Sequence, residues 1–448
     1  MNVHSRVEGQ HPLTGERYFD HDFARREWNA VWARSWLVVC REDQIPEPGD
    51  FIVEEFGQQS VLVVRQEDSS VKAFHNICQH RGNKLVMSTE GSMPSFTCNY
   101  HSWKWSLDGT CIDAQDPEDF QSGSPCGRIR LAELRCESFA SFVWINMDKD
   151  AIPLKEYLGE LYSVLERYPF EDMVAYQAIT IHMPCNWKIL QDNFRETYHI
   201  PTVHPIGLYV NEPDYRQARI ENLANGHSLL HTPGSQPSRY LPGSKLVVDD
   251  YLIKDLRAWE LDPEEYRDSP LAVRTAIQQQ KRKLGPKRGH KHYDRMDDDQ
   301  LTDTFLYSVF PNVTFTCFSD GMLFLRARPH PADPEQAEFD CFFFASGAED
   351  FFTRQLTASG GVQGQELGNV ERKYVKFGEG SVGVILDDDA GIMEAQQKGM
   401  HSLGWKGADL AGQEKRIAHY HRRIDELIEA EEVLRQADGR GKLMGVHE

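Results

Sequence analysis

From residue 36 onward, short apolar runs alternate with turn residues: "WLVVC", "GDFIVEEF", "QQSVLVVRQ" and "SSVKAF" follow one another up to residue 75. Strands need a period near two and turns need Gly, Ser and Asp, so this stretch reads as a series of short strands. The pattern continues through "SLDGTCI" and ends near "SFVWINMD", which predicts a small all-β domain over 36–150. At "IPLKEYLGELYSVLERY" (152–168) the period changes. Leu154, Leu158, Leu161 and Leu165 fall on one helical face, and a second domain begins.

That second domain, 151–448, mixes both periods, and residues 1–35 are expected to pack on it. "AYQAITIHMPCNWKIL" predicts a strand and "LQDNFRETYHI" a helix. Residues 212–300 form a long polar excursion, rich in Pro, Gly and charge, with at least one helix at "SPLAVRTAIQQQKRK". Strands are predicted in "TFLYSVFPNVTFTCF", "GMLFLRARPH" and "EFDCFFFAS", and helices in "DAGIMEAQQKGM" and "QEKRIAHYHRRIDELIEAEE". Meandering strands with helices at either end predict an antiparallel sheet wrapped on a helix, an α+β layout.

Composition narrows the function. The net charge of −20 over 448 residues argues against nucleic acid and against an anionic membrane surface. The basic stretch "KRKLGPKRGHKH" is followed at once by "DRMDDDQ" and reads as a solvated, mixed-charge segment. No apolar run approaches the roughly 18 residues needed to span a bilayer, and the N-terminus has no apolar signal region. A cytoplasmic location is the expectation. Thiols stay reduced there, so spaced cysteines point to ligands rather than disulfides.

Two segments have such spacing. Cys78 and His80 form a C-x-H arm, Cys98 and His101 a C-x-x-H arm, and 17 residues separate them. A structural zinc site is one reading, since Cys2His2 is a zinc ligand set. Zinc fingers, however, pair Cys with Cys and His with His, whereas each arm here supplies one of each. Mixed arms suit a two-iron cluster with two thiolates on one iron and two imidazoles on the other. C-x-H-R-G followed by C-x-Y-H-x-W resembles the Rieske [2Fe–2S] signature of ring-hydroxylating oxygenase large (alpha) subunits, through Cys78, His80, Arg81, Gly82, Cys98, Tyr100, His101 and Trp103. Asn99 and Ser102 depart from the Pro and Gly usual in that family. The other seven cysteines show no ligand spacing and read as small buried hydrophobes.

A cluster moves one electron at a time, so a second centre is needed for bond chemistry. "NWKILQDNFRETYHIPTVHP" offers His199 and His204, which lie ~140° apart on a continuous helix. Pro201 is expected to break or kink the helix after His199 and let His204 swing back. N-F-x-E-x-Y-H-x-P-T-V-H-P resembles the mononuclear iron segment of the same family. Two imidazoles and a carboxylate make the facial triad of non-haem iron(II) oxygenases. In "ILDDDAGIMEAQQKGM" the resemblance, registered by Glu394, Gln397 and Gly399, points to Asp389 ahead of Asp387 or Asp388. Asp388 is expected to cap the helix that follows. Glu196, three residues before His199 and expected on the same helical face, takes the family's role of linking a Rieske histidine of one subunit to an iron histidine of the next.

The resemblance implies an all-β Rieske domain inserted before a helix-grip catalytic domain. It implies one [2Fe–2S] cluster and one mononuclear Fe(II) per subunit, held by Cys78, His80, Cys98 and His101 and by His199, His204 and Asp389. The activity implied is O2-dependent hydroxylation of an aromatic or other apolar substrate. The resemblance also implies that electrons come from NAD(P)H through a separate reductase, with or without a ferredoxin. A homotrimer, with or without a small beta subunit, is the expected assembly. Phe305, Tyr307, Phe310, Phe315, Phe318 and Phe324 are candidates for the pocket wall or the sheet core. The E-x-Y-H and P-T-V-H-P forms also resemble relatives that oxidise or demethylate N-methyl and quaternary ammonium compounds. An electron-transfer Rieske protein is the third reading, disfavoured by length and by the second His pair.

Overall fold

The computed structural model describes residues 13–243, 246–346 and 370–437; residues 1–12 of the expected N-terminal segment lie outside them. The chain forms two compact units. One is Trp28–Tyr157 with His330–Ala332, and the other comprises the remainder, including the chain up to Glu27.

The first unit is all-β, as the alternation predicts. Its strands are β1 (Leu37–Arg41), β2 (Asp50–Phe56), β3 (Gln59–Arg65), β4 (Val71–His75), β5 (Glu90–Ser92), β6 (Phe96–Thr97), β7 (Lys104–Trp105), β8 (Cys111–Asp113), β9 (Glu133–Phe139) and β10 (Phe142–Asn146). They form a sheet ordered β1-β10-β9-β4-β3-β2-β5 and a small one ordered β6-β7-β8. Phe51, Leu62, Val64, Phe74, Phe96, Trp103 and Trp105 are buried together, and Cys78 and Cys98 belong to the same cluster. The two Cys/His arms are the β4–β5 and β6–β7 loops, so each cysteine is anchored in core while the loop tip is free to present a histidine.

The second unit is built on one eight-stranded sheet. Its strands are β11 (Met173–Met183), β12 (Arg219–Asn222), β13 (Ser228–Thr232), β14 (Thr304–Val309), β15 (Val313–Phe318), β16 (Gly321–Pro329), β17 (Ala337–Ser346) and β18 (Lys373–Lys376). The order is β12-β13-β14-β15-β16-β17-β11-β18, antiparallel except for the β11–β18 pair. Strands β12, β13 and β18 were not expected. β12 ("RIEN") is polar, β13 ("SLLHT") has only two apolar residues, and both sit in what reads as an excursion. The helices that matter to the site are α1 (Trp187–Asn193), α2 (Ile200–Val203), α3 (Asp250–Ala258), α4 (Val273–Leu284), α5 (Val384–Met400) and α6 (Lys415–Ala437). Helix α1 packs on β16 and β17 and against α5. Residues 13–27 pack on the same unit: Arg17 pairs with Asp425 at 2.8 Å, and the Tyr18 hydroxyl donates to Asp192 at 2.8 Å.

Strand register divides the sheet into two chemically different faces. Tyr307, Phe315 and Phe324 are cross-strand neighbours on one face, where Tyr168 and Phe170 pack against them edge-on and tilted. Leu230, Leu306, Thr316, Leu323 and Phe343 are aligned across five strands on the other.

A buried ionic knot ties β11, β16 and β17. Asp340 accepts from Arg326 Nε at 2.6 Å, Arg372 Nη2 at 2.7 Å and the Thr180 hydroxyl at 2.7 Å, with Arg328 at 3.2 Å. Burial alone would raise the Asp340 pKa, but three guanidinium groups more than reverse this and hold it well below the ordinary carboxylate value. The stabilisation is therefore present above the unfolded pKa of about 3.9 and lost only as pH falls through the lower folded value. Asp340→Asn should destabilise this unit by about 3–5 kcal/mol, because it strands buried cations. A thermal midpoint unchanged from wild type at pH 7 would contradict that account.

Candidate metal centres and the adjoining cavity

The two arms of the β unit are built alike. In the first, Cys78 N–H donates to Asn83 O at 2.8 Å and Gly82 N–H to Cys78 O at 3.1 Å; in the second, Cys98 N–H donates to Trp103 O at 2.8 Å and Ser102 N–H to Cys98 O at 3.0 Å. Both loops need a left-handed residue at the same place, met by Gly82 (φ 73°) and by Ser102 (φ 59°). The thiols of Cys78 and Cys98 come within hydrogen-bonding distance of each other, and the His80 and His101 rings lie 4.6 Å apart. His80 stacks flat on Trp103 at 4.7 Å, and its buried Nδ1 has no hydrogen-bond partner. Burial pushes the Cys98 thiol up, but the amides of Tyr100 and His101 and the Asn83 side chain outweigh it and bring the thiol below its ordinary value. Asn83 Nδ2 also donates to Asn99 Oδ1 at 2.7 Å, so the residue in place of the usual proline acquires a bond between the loops.

Geometry separates the cluster reading from zinc. Tetrahedral zinc bonds of ~2.0–2.3 Å put all four donors within ~4 Å of one another. Among the described residues, no three of these four donors lie within 4.8 Å of one another. Two thiols on one side and two imidazoles on the other fit a cluster with two metal ions.

In the second unit, His199, His204 and Asp389 do converge, with one donor atom of each within 4.8 Å of the others. His204 Nε2 is 2.8 Å and His199 Nε2 3.6 Å from Asp389 Oδ1. His204 and Asp389 are buried, and His204 Nδ1 has no hydrogen-bond partner. Two imidazoles and a carboxylate crowded together in apolar surroundings are the donor set of a facial-triad iron site.

The local conformation differs from the expected one. Helix α1 ends at Asn193, and Glu196 to His199 form an irregular turn, so Glu196 and His199 share no helical face. Glu196 instead folds back: it accepts the backbone N–H of Tyr198 and, at 3.1 Å, of His199, and its Oε1 lies 2.5 Å from His199 Nδ1. Burial lowers the His199 pKa, but the bond to Glu196 and the charges of Glu196 and Asp389 reverse this and leave it raised. Pro201 does not end a helix after His199. It sits in the first turn of α2, where its missing N–H is harmless, and His199 is the N-cap. Asp388 is not the cap of α5, which begins earlier at Val384; Asp387 reaches back to accept Val382 N–H at 2.9 Å. Gln397 of α5 accepts Asn186 N–H at 2.8 Å, joining the helix that carries Asp389 to the start of α1.

Beside the triad lies a cavity of about 270 Å³. Its floor is the row Leu230, Leu306, Thr316, Leu323 and Phe343, extended by Thr232, Thr304 and Phe318. Of the six aromatic candidates from the sequence only Phe318 lines it. Phe305, Tyr307, Phe315 and Phe324 alternate onto the opposite face, and Phe310 packs edge-on against Tyr420. The threonines give no signal in sequence beyond strand parity. The excursion contributes Leu230, Thr232, Ser235, Tyr251 and Asp255 to the lining.

Comparison with known proteins bears on both centres. The profile described as "Ring hydroxylating alpha subunit (catalytic domain)" matches residues 170–430, and "Rieske [2Fe-2S] domain" matches 35–125. The chain belongs to the ring-hydroxylating alpha-subunit family. Within that family it is 33% identical over 190 residues to the carnitine monooxygenase oxygenase subunit of Escherichia coli (strain K12), covering 42% of this chain and 50% of the relative. It is 32% identical over 205 residues to the benzene 1,2-dioxygenase subunit alpha of Pseudomonas putida, covering 44% and 45%. The chain thus spans about half the length of the curated relatives it matches. Two solved structures share the fold: a quaternary ammonium Rieske monooxygenase in complex with L-carnitine (TM-score 0.64, 19% identity, 93% of this chain and 95% of that one), and naphthalene 1,2-dioxygenase with indole bound (TM-score 0.67, 20%, 93% and 91%).

Ser102 is a departure from the family pattern whose effect is measurable. A non-glycine residue in the left-handed region is strained by roughly 1–2 kcal/mol. Ser102 is exposed and its side chain makes no hydrogen bond to a described residue. Ser102→Gly should therefore raise the stability of the β unit by about 1 kcal/mol, and Gly82→Ala should lower it by a similar amount; thermal melts of the two variants read the pair of opposite shifts.

Proposed function

We propose that this protein is the oxygenase component of a multicomponent Rieske oxygenase that hydroxylates an aromatic or other apolar substrate. In this reading Cys78, His80, Cys98 and His101 hold a [2Fe–2S] cluster, and His199, His204 and Asp389 hold a mononuclear Fe(II). The convergence of those last three residues at the edge of an apolar cavity is the observation that carries the proposal. An electron carrier has no use for a second, open ligand set beside a cavity, and family membership rests on the domain that contains it.

When bound, the iron supplies open positions for O2 beside the substrate. The chain's residues do the rest. Asp389 places its carboxylate between the two imidazoles and offsets the cation's charge. The floor of Leu230, Leu306, Leu323 and Phe343 excludes water and orients an apolar ring against the triad. Glu196 accepts from His199 Nδ1, which fixes Nε2 as the ligating nitrogen. The one G-x-G-x-x-G run, Gly378 to Gly383, lies between the edge strand β18 and helix α5 of a mainly antiparallel sheet rather than in a βαβ unit, so NAD(P)H is oxidised by a separate reductase, with or without a ferredoxin. Among the described residues no helix is long and apolar enough to cross a membrane. A cytoplasmic enzyme and a homotrimer, with or without a beta subunit, complete the proposal. The cyclic assembly gives Glu196 a second partner, a Rieske histidine of the neighbouring subunit. One solved relative is described in terms of inter-subunit electron transfer.

Two experiments test this. His199→Ala, His204→Ala or Asp389→Ala should lose the mononuclear iron, lowering iron from about three to about two per chain. Each variant should keep the visible absorption of the cluster, because the centres sit on separate units. Normal iron content in all three would sink the assignment. Glu196→Gln should bind both iron sites and accept an electron at the cluster, yet turn over at least ~100-fold slower, beyond the ~10–100-fold typical of outer carboxylates. A fully active Glu196→Gln enzyme would remove Glu196 from the electron path.

A further inference from the structure

Away from both centres, the basic stretch 281–292 is not the solvated segment that its sequence predicts. His290 and His292 are each 7% exposed, and both face Asp320, 4% exposed, in the turn between β15 and β16. His290 Nδ1 lies 2.8 Å and His292 Nε2 3.1 Å from the same carboxylate oxygen, Asp320 Oδ1. One donor atom of each of the three falls within 4.8 Å of the others, as in the His199, His204 and Asp389 set, where the matching separations are 2.8 and 3.6 Å. The Ser319 carbonyl, 3.0 Å from His292 Nε2, brings a fourth donor to the same place. The pair gives little signal in sequence, because it sits among lysines and its carboxylate comes 28 residues after His292.

The surrounding groups orient this set without filling its centre. Asp320 Oδ2 accepts the Tyr293 hydroxyl at 2.5 Å and the Ser319 hydroxyl at 2.7 Å, which turns Oδ1 toward the imidazoles. Supporting bonds of this kind fix the orientation of a ligating carboxylate. The Lys281 ammonium stands 3.9 Å from Oδ2 and donates instead to Leu301 O at 2.6 Å and to the Ser319 hydroxyl at 2.7 Å. Other buried carboxylates of this unit have a guanidinium in direct contact: Arg274 lies 2.5 Å from Asp303, and Arg326 2.6 Å from Asp340. His231, Asp299 and Asp303 also converge, but there Arg274 bonds both carboxylates and takes the place of a cation. Among the described residues no guanidinium bonds Asp320, and a buried carboxylate needs a close counter-charge.

We propose that His290 Nδ1, His292 Nε2, Asp320 Oδ1 and the Ser319 carbonyl bind a zinc ion that is separate from both iron centres. Two nitrogen and two oxygen donors are the number and kind that a closed, tetrahedral zinc site takes. With every position filled by protein the ion is structural. It ties the segment after α4 to the β15–β16 turn. Helix α4 packs on α3, and α3 supplies Tyr251 and Asp255 to the cavity, so the ion steadies one cavity wall from behind.

The test counts metals by elemental mass spectrometry in the full-length, cluster-loaded protein carrying His199→Ala/His204→Ala, which removes both imidazoles of the iron triad. After exposure to zinc chloride and desalting, this protein should keep about one zinc per chain. Zinc-edge X-ray absorption should show two imidazoles, oxygen donors and no sulfur, at ~2.0–2.2 Å. Adding His290→Gln/His292→Gln should reduce the zinc to below about a tenth per chain and leave the visible absorption of the cluster unchanged. A zinc chelator should lower the thermal midpoint of wild type but not of His290→Gln/His292→Gln. Zinc below about a tenth per chain before the glutamines are added means that two imidazole N–H groups satisfy Asp320 instead, and overturns the proposal. So does zinc undiminished by the glutamines, or sulfur in the first shell, which assigns the ion to the cysteine loops. If the glutamine variant fails to fold, the donor set at the zinc edge decides.

Discussion

A carboxylate buried between two imidazoles is the constraint on which the second unit depends. Asp389 is 2% exposed, and a charge taken that far from water is tolerated only when paired. Its partners come from a segment 185 residues away in sequence, so three separate pieces of backbone must be held in register. Helix α5 brings Asp389, the turn 196–199 brings His199, and the short helix α2 ends at His204. Gln397 bonds α5 to the start of α1, and Glu196 pins the turn by accepting two backbone amides and one ring nitrogen. The fixed geometry is one that a cation of charge two would complete.

The β unit solves a different problem with repeated backbone. Two loops of the same hydrogen-bond pattern each place a cysteine in core and a histidine at the surface, and they face each other through Asn83. The pairing of like donors, thiol with thiol and ring with ring, follows from the loops' equivalence. Ser102 shows that the pattern tolerates a strained residue, since the neighbouring Cys98 and Trp103 pair fixes the turn whichever side chain occupies it.

How much of this was legible in the sequence depended on whether a signal was local. Cys78, His80, Cys98 and His101 lie in short segments with fixed spacing, and the Gln397 register singled out Asp389 because helix α5 is continuous. The Glu196–His199 relation was legible as proximity but not as conformation: three residues apart is close on a helix and equally close in a turn. Helix α1 stops at Asn193, and neither Gly nor Pro announces it there. Strands β12 and β13 were missed because they pair with each other and join the sheet only through β14, some seventy residues later, and a strand of four or five residues carries too few positions to show a period.

The sequence left the aromatic residues of the late strands open between cavity wall and sheet core, and the reason also explains the cavity's chemistry. In strands β14 and β15 aromatic and polar residues alternate, and the aromatics draw attention, yet they fill the face that packs on Tyr168 and Phe170. The face over the triad has leucines and threonines instead. Because the side-chain period is two, a one-residue slip in either strand would exchange the faces, putting phenylalanines over His199, His204 and Asp389 and threonines into the core. Such a slip would leave hydroxyls buried in an apolar layer and fill the cavity with rings. The same ladder hydrogen bonds that stabilise the sheet therefore also decide which side chains a substrate meets.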